Sequence, residues 1–156
     1  MYVLLFDGAS RGNPGPAACG FVVYRDGERV EARGEFLGTT TNNVAEYKGL
    51  IRGLEYLLRK GAREVTVYAD SELVVKQVRG EYKVKSPHLK PLHQEAVNLL
   101  KMFDKASILH HPRSSNREAD RIANMALDRA LKSAGQPLAK TGLPEESPGS
   151  TGQDAG

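Results

Sequence analysis

One cysteine, no tryptophan and no long apolar run restrict what this 156-residue chain can be. Cys19 has no partner for an internal disulfide, and its apolar, strand-like surroundings read as those of a small buried hydrophobe. No Cys or His pair has the spacing of a zinc site. No apolar stretch approaches the ~20 residues of a membrane-spanning helix, so no membrane association is expected. The amino terminus runs straight into a strand, without the charged flank and cleavage site of an export signal. A cytoplasmic setting is the expectation. There is no internal repeat.

Net charge is also small, at +3, but it is unevenly spread. Residues 135–156 carry one of the 22 cations and three of the 19 anions, which leaves +5 on residues 1–134. With a pI near 9.0, that balance is compatible with a nucleic-acid partner without requiring one. A mean hydropathy of −0.44 and 40% hydrophobic residues fit one globular domain. That domain is expected over 1–134. Residues 135–156, rich in Gly, Pro, Ser and Thr without apolar periodicity, read as a disordered tail or a linker to a further domain.

What is present is a set of strands and helices in a definite order. Residues 2–7, 18–24 and 29–37 read as three antiparallel strands, the last two joined by Asp26-Gly27. Tyr47, Leu50, Ile51, Leu54, Leu57 and Leu58 follow helical spacing up to Lys60-Gly61. A fourth strand, Val65–Ala69, precedes a short helix with Leu73, Val74 and Val78 on its buried side. After an irregular connection over 80–91, another helix spans Leu92 to Phe103. A fifth strand covers 106–111, and a last helix starts near Asn116. The order β-β-β-α-β-α-α-β-α implies an α/β fold, a mixed five-stranded sheet flanked by helices.

Two of the strands end in carboxylates. Tyr2–Phe6 runs into Asp7, and Val65–Ala69 into Asp70. Asp7-Gly8 alone is ordinary turn chemistry. Two buried strands that each deliver an acid fit a metal site better than two coincidental turns, because a buried charge needs compensation. Glu46 shares the helix face of Leu50 and Leu54, although with Asn43 it also has the offset of a capping box. Asp120 sits three before Ala123 and seven before Leu127, where an acid also suits the helix dipole, with Asn116 as an N-cap. These four acids can meet at one end of the sheet. Crowded carboxylates are relieved by hard divalent cations, and two magnesium ions about 3.5–4 Å apart support phosphodiester hydrolysis.

Four ordered blocks carry a resemblance. Asp7-Gly8-Ala9-Ser10-Arg11-Gly12-Asn13-Pro14-Gly15-Pro16, Thr41-Asn42-Asn43-Val44-Ala45-Glu46, Tyr68-Ala69-Asp70-Ser71 and Asn116-Arg117-Glu118-Ala119-Asp120 resemble the motifs of type 1 ribonucleases H. The resemblance implies a ribonuclease H-like fold and endonucleolytic cleavage of the RNA strand of an RNA/DNA hybrid, leaving 5′-phosphate and 3′-hydroxyl ends. It implies Asp7, Glu46, Asp70 and Asp120 as ligands of two Mg²⁺ ions, with Mn²⁺ as a substitute. By the same resemblance Gly8, Ser10, Asn13, Asn42 and Asn43 lie along the minor groove, where 2′-hydroxyls distinguish RNA from DNA. Thr41 then lies near the DNA-strand phosphates. A monomer without an obligate protein partner is expected.

The chain departs from the family's pattern twice. Many relatives have a basic protrusion with tryptophans; here only Arg79, Tyr82, Lys83, Lys85, His88 and Lys90 occupy that region, read as a reduced duplex grip in preference to a solvated loop. Hybrid binding is therefore expected to be weaker or more salt-sensitive. Many relatives also place a mobile histidine before the last acid. The segment His110-His111-Pro112-Arg113 instead resembles a branch with Pro-Arg there, which makes Arg113 the auxiliary residue, with an electrostatic role. One of the two histidines is expected to face the core or a helix. The rival functions are a non-catalytic hybrid- or duplex-binding module, expected to have lost acids, and another metal nuclease of the same fold, usually embedded in a longer chain.

Overall fold

A computed structural model describes residues 1–112 and 116–135. Three antiparallel strands, β1 (Tyr2–Ser10), β2 (Gly15–Arg25) and β3 (Glu28–Thr40), are followed by α1 (Asn42–Arg59). Next come β4 (Glu64–Ala69), α2 (Glu72–Val78), α3 (Lys90–Lys101), β5 (Lys105–His110) and α4 (Arg117–Gly135). The element order matches the one read from the sequence. The sheet runs β3-β2-β1-β4-β5, with β4 parallel to β1 and β5 parallel to β4.

The centre of the sheet is β1, and its apolar run explains why. Alternate residues face opposite sides. Leu4 and Phe6 enter a core with Leu50, Leu54 and Leu57 of α1, Val65 and Val67 of β4, and Ala96 of α3. Leu5 packs on the other face with Val22 and Ala119, beneath α4. Leu4 and Leu50 are fully buried, as are Phe6, Val22 and Leu127. Each buried leucine or phenylalanine contributes about 1.5–3 kcal/mol, so the strand that carries Asp7 is anchored on both faces.

Several boundaries differ from the sequence reading. β1 does not stop at Asp7: it pairs with β2 as far as Ser10↔Ala17. β3 continues past Leu37 because Gly38–Thr40 pairs with Gly15–Ala17 beyond a bulge. Gly38, at φ 78°, supplies a left-handed conformation there. The N-cap of α1 is Thr41, whose Oγ1 accepts from the Val44 N–H at 3.2 Å, so Asn43 is already helical and forms no capping box with Glu46. In α2 the buried residues are Val74, Val75 and Gln77, while Leu73 is exposed. Phe103 lies beyond α3 and is buried all the same. No helix among the described residues is long and apolar enough to cross a membrane. Residues 136–156, most of the stretch read as a tail, lie outside the described residues.

Candidate active site

Asp7 and Asp70 are brought together by strand register. The parallel pairing of β1 and β4 sets Leu5 opposite Tyr68. Two residues further on, both strands present a carboxylate on the same side. From the other direction α1 delivers Glu46 in its second turn. This requires the helix backbone to touch β1, and Gly8 is what permits it: a Cβ on Gly8 would lie 2.5 Å from the Glu46 nitrogen and 2.6 Å from the Ala45 carbonyl carbon. A second glycine opens the opposite side. A Cβ on Gly20, the β2 partner of Asp7, would lie 2.7 Å from the Ala123 nitrogen of α4. The helix carrying Asp120 therefore also sits close on the sheet.

Carboxylate oxygens of Asp7, Glu46 and Asp70 all lie within 4.8 Å of one another. Asp7 and Glu46 are buried, and Asp70 is half-buried. The Gly8 N–H donates to Asp7 Oδ1 at 2.9 Å and to Glu46 Oε2 at 3.3 Å. Burial first, then the neighbouring Glu46 and Asp70, push the Asp7 carboxyl up to about 10. Asp120, in the first turn of α4, lies near enough to Asp7 to add to the upward push on its carboxyl. The Asn124 amide donates to both the backbone and the side chain of Asp120, at 3.0 and 3.3 Å. Three acids form one cluster, and the fourth stands at its edge.

Asn116 was expected to cap α4, but it is a tether instead. Its buried Nδ2 donates to the Phe6 carbonyl at 2.9 Å, which ties the start of α4 to the strand beside Asp7. Its Oδ1, the atom a cap would use, has no hydrogen-bond partner among the described residues. Sequence reading could not separate these roles, since both use the same side chain at the same position.

The remaining predicted residues form a rim. Asn13 Oδ1 accepts from the Asn42 N–H at 3.0 Å, which braces the β1–β2 loop against the start of α1. Ser10 and Asn43 are half-buried nearby in the chain, and Asn13 and Asn42 are exposed. Gly8 has a packing duty at this place, whatever else it contacts. Beside the rim, Thr39, Thr40, Thr41, Lys48, His88 and Pro91 line a groove of about 470 Å³. Lys48 went unnoticed in the sequence, although it lies seven residues after Thr41 and so on the same helical face. Arg113 lies outside the described residues.

His110 ends β5 and is exposed, whereas His111, one residue beyond the strand, lies against Tyr68 with ring centroids 4.4 Å apart. Within the basic connection, Arg79 faces inward in part: its Nε donates to the Ile108 carbonyl at 3.0 Å, so it braces β5 and is not a free member of a duplex grip. Lys83, Lys85, His88 and Lys90 are exposed, and Tyr82 lies under the Lys76 ammonium at 5.0 Å.

Comparison with known proteins agrees with this architecture. A family model described as reverse transcriptase-like matches residues 5–126. The bifunctional protein Rv2228c of Mycobacterium tuberculosis is 47% identical over 134 residues, 85% of this chain but 37% of its own length. The chain thus spans little more than a third of that relative. The crystal structure of RNase H1 from the archaeon Halobacterium salinarum is 45% identical, with a TM-score of 0.80, covering 82% of this chain and 98% of that one. LC11-RNase H1, solved in complex with an RNA/DNA hybrid, is 40% identical with a TM-score of 0.79, covering 84% and 99%.

A mixed five-stranded sheet with helices on both faces, and acids gathered where β1 and β4 end their pairing, defines a ribonuclease H-like protein. More narrowly, this chain belongs to the ribonuclease H1 family.

Proposed function

We propose that the chain is a metal-dependent endonuclease that hydrolyses the RNA strand of RNA/DNA hybrids, leaving 5′-phosphate and 3′-hydroxyl ends. The observation that carries this reading is the three-way approach of Asp7, Glu46 and Asp70 within 4.8 Å. Such a cluster cannot ionise fully without cations, and an all-oxygen donor set suits hard ones. Asp7, Glu46, Asp70 and Asp120 are the residues that would hold two Mg²⁺ ions, with Mn²⁺ as a substitute. The chemistry supplied by the bound ions is a water of lowered pKa and charge neutralisation at the leaving oxygen.

The chain's own residues hold the geometry. Gly8 fixes Asp7 against Glu46 through its N–H, and Asn124 orients Asp120. Asn13, Asn42 and Asn43, with Ser10, would face the minor groove and its 2′-hydroxyls. Thr41 and Lys48 would meet a phosphate in the groove beside them. Support for hybrid as substrate comes from the relative that was solved with one. A non-catalytic binding module of the same fold is disfavoured because all four acids are present.

The test is cleavage of a labelled RNA strand paired with DNA, in Mg²⁺, beside RNA/RNA, DNA/DNA and single-stranded RNA. Cutting confined to the hybrid and abolished by Asp70→Asn is the expected result. Retained hybrid binding without cutting in either Mg²⁺ or Mn²⁺ would instead identify the binding module.

A further inference from the structure

Glu46 lies in α1, Asp70 lies between β4 and the N-cap of α2, and three side chains join α1, α2 and α3. Tyr47, next to Glu46, is fully buried, and its hydroxyl donates to Gln77 Oε1 at 2.7 Å. Gln77 is buried in the last turn of α2, the helix whose N-cap, Ser71, directly follows Asp70. His93 of α3 lies 2.8 Å from the Gln77 carbonyl through Nε2. A carbonyl only accepts, so Nε2 carries the proton. The Tyr47 and His93 rings meet edge to face, with centroids 6.3 Å apart at 83°. Three helices therefore converge on one glutamine.

This junction has leverage over the metal ligands. The seven residues of α2 bury two apolar side chains, Val74 and Val75, and pack a third, Val78, partly against the core. On so short a helix the hydrogen bonds at Gln77 add a restraint at the end far from Asp70. Gln77 lies roughly 10 Å along the helix from Asp70, at about 1.5 Å per residue. A tilt released at the Gln77 end is delivered at the Asp70 end.

We infer that Gln77, clamped by Tyr47 and His93, is a positioning residue that sets Asp70 against Glu46 and Asp7 for cation binding. The inference rests on the functional reading above in taking those acids as ligands. It assigns the junction no contact with metal or substrate. Partners that orient metal ligands typically change affinity about 10–100-fold when removed, and an indirect clamp belongs at the lower end.

The experiment titrates Mn²⁺ into the protein without nucleic acid, followed by paramagnetic resonance and calorimetry. Wild type is compared with Tyr47→Phe, Gln77→Met and the double variant. A Phe103→Leu variant serves as the control, since it is destabilised at a buried position outside the junction. About tenfold weaker Mn²⁺ binding is expected in each junction single variant, with the double variant no worse than either, because the clamp is one unit. Phe103→Leu should bind as wild type does. Wild-type affinity in both junction variants would overturn the inference, as would an equal loss in Phe103→Leu. A wild type that binds Mn²⁺ yet cuts no hybrid defeats the functional reading and leaves this result standing.

Discussion

The backbone N–H of Gly8 is shared between the carboxylates of Asp7, at 2.9 Å, and Glu46, at 3.3 Å. One donor thus serves two acids from different elements, and it does so because no side chain on Gly8 keeps α1 away. The glycine and the acids form a single arrangement.

Gly8→Ala should break that arrangement. Its Cβ would fall 2.5 Å from a backbone nitrogen, a contact no side-chain rotation relieves. Either α1 shifts outward or β1 bends, and Glu46 leaves the cluster in both cases. A stability loss of about 2–3 kcal/mol is expected, as for other overpacked sites, together with loss of hybrid cleavage. Thermal unfolding and the cleavage assay check the two effects, and a variant of wild-type stability and activity would refute the packing argument.

Asp7→Asn should separate stability from activity. In the metal-free protein the folded Asp7 carboxyl is pushed up to about 10 from an ordinary value of 3.8. Between those values the unfolded chain gives up the proton while the folded one keeps it. This contribution is therefore fully favourable below about pH 3.8 and is lost progressively as pH rises toward about 10. Asparagine removes the dependence. Metal-free Asp7→Asn should be more stable than wild type at pH 7, on the order of 2 kcal/mol, and the gap should close on acidification. Denaturant unfolding at pH 4 and pH 7 in a chelator decides it, and Asp7→Asn should cut no hybrid.

The core and the cluster were legible in the sequence to different depths. The apolar run of β1, the helical spacing of α1 and the paired strand-ending acids are local patterns, so element order, the mixed five-stranded sheet and the three acids that cluster could be read in advance. What escaped depends on partners far along the chain. β1 runs on to Ser10 because β2 is there to pair with it, and Gly38 continues a strand through a bulge where composition alone reads as a break. Thr41, Asn43 and Asn116 all have capping chemistry, and only the tertiary arrangement makes Thr41 the cap and Asn116 a tether. The Tyr47–Gln77–His93 junction joins residues up to 46 positions apart, beyond any periodicity.

Asn116→Ala tests the tether. It removes the donor to the Phe6 carbonyl and leaves a buried acceptor in the central strand. Such a deletion costs about 1–3 kcal/mol. Because the anchored end of α4 also carries Asp120, cleavage should fall further than hybrid affinity does. Denaturant melts give the first quantity, and the ratio of kcat to KM effects gives the second. A fall confined to hybrid affinity would place Asn116 in substrate contact instead.

Lys48→Ala should lower hybrid affinity without touching the metal cluster. Half-buried Lys48 shares a groove with Thr41 and His88. If the groove receives one backbone phosphate, loss of the cation removes one counterion-release contribution, and the slope of log affinity against log salt should shrink by about 0.7–0.9. The exposed Lys83, Lys85 and Lys90 provide the comparison, since in a chain with no tryptophan dispersed charge is expected to carry more of the hybrid binding. Their combined replacement by alanine should reduce the slope further than Lys48→Ala alone. Binding is measured by anisotropy with the catalytically silent Asp70→Asn background across a salt series. An unchanged slope in Lys48→Ala, with Mn²⁺ affinity intact, would remove the groove from the hybrid-binding surface.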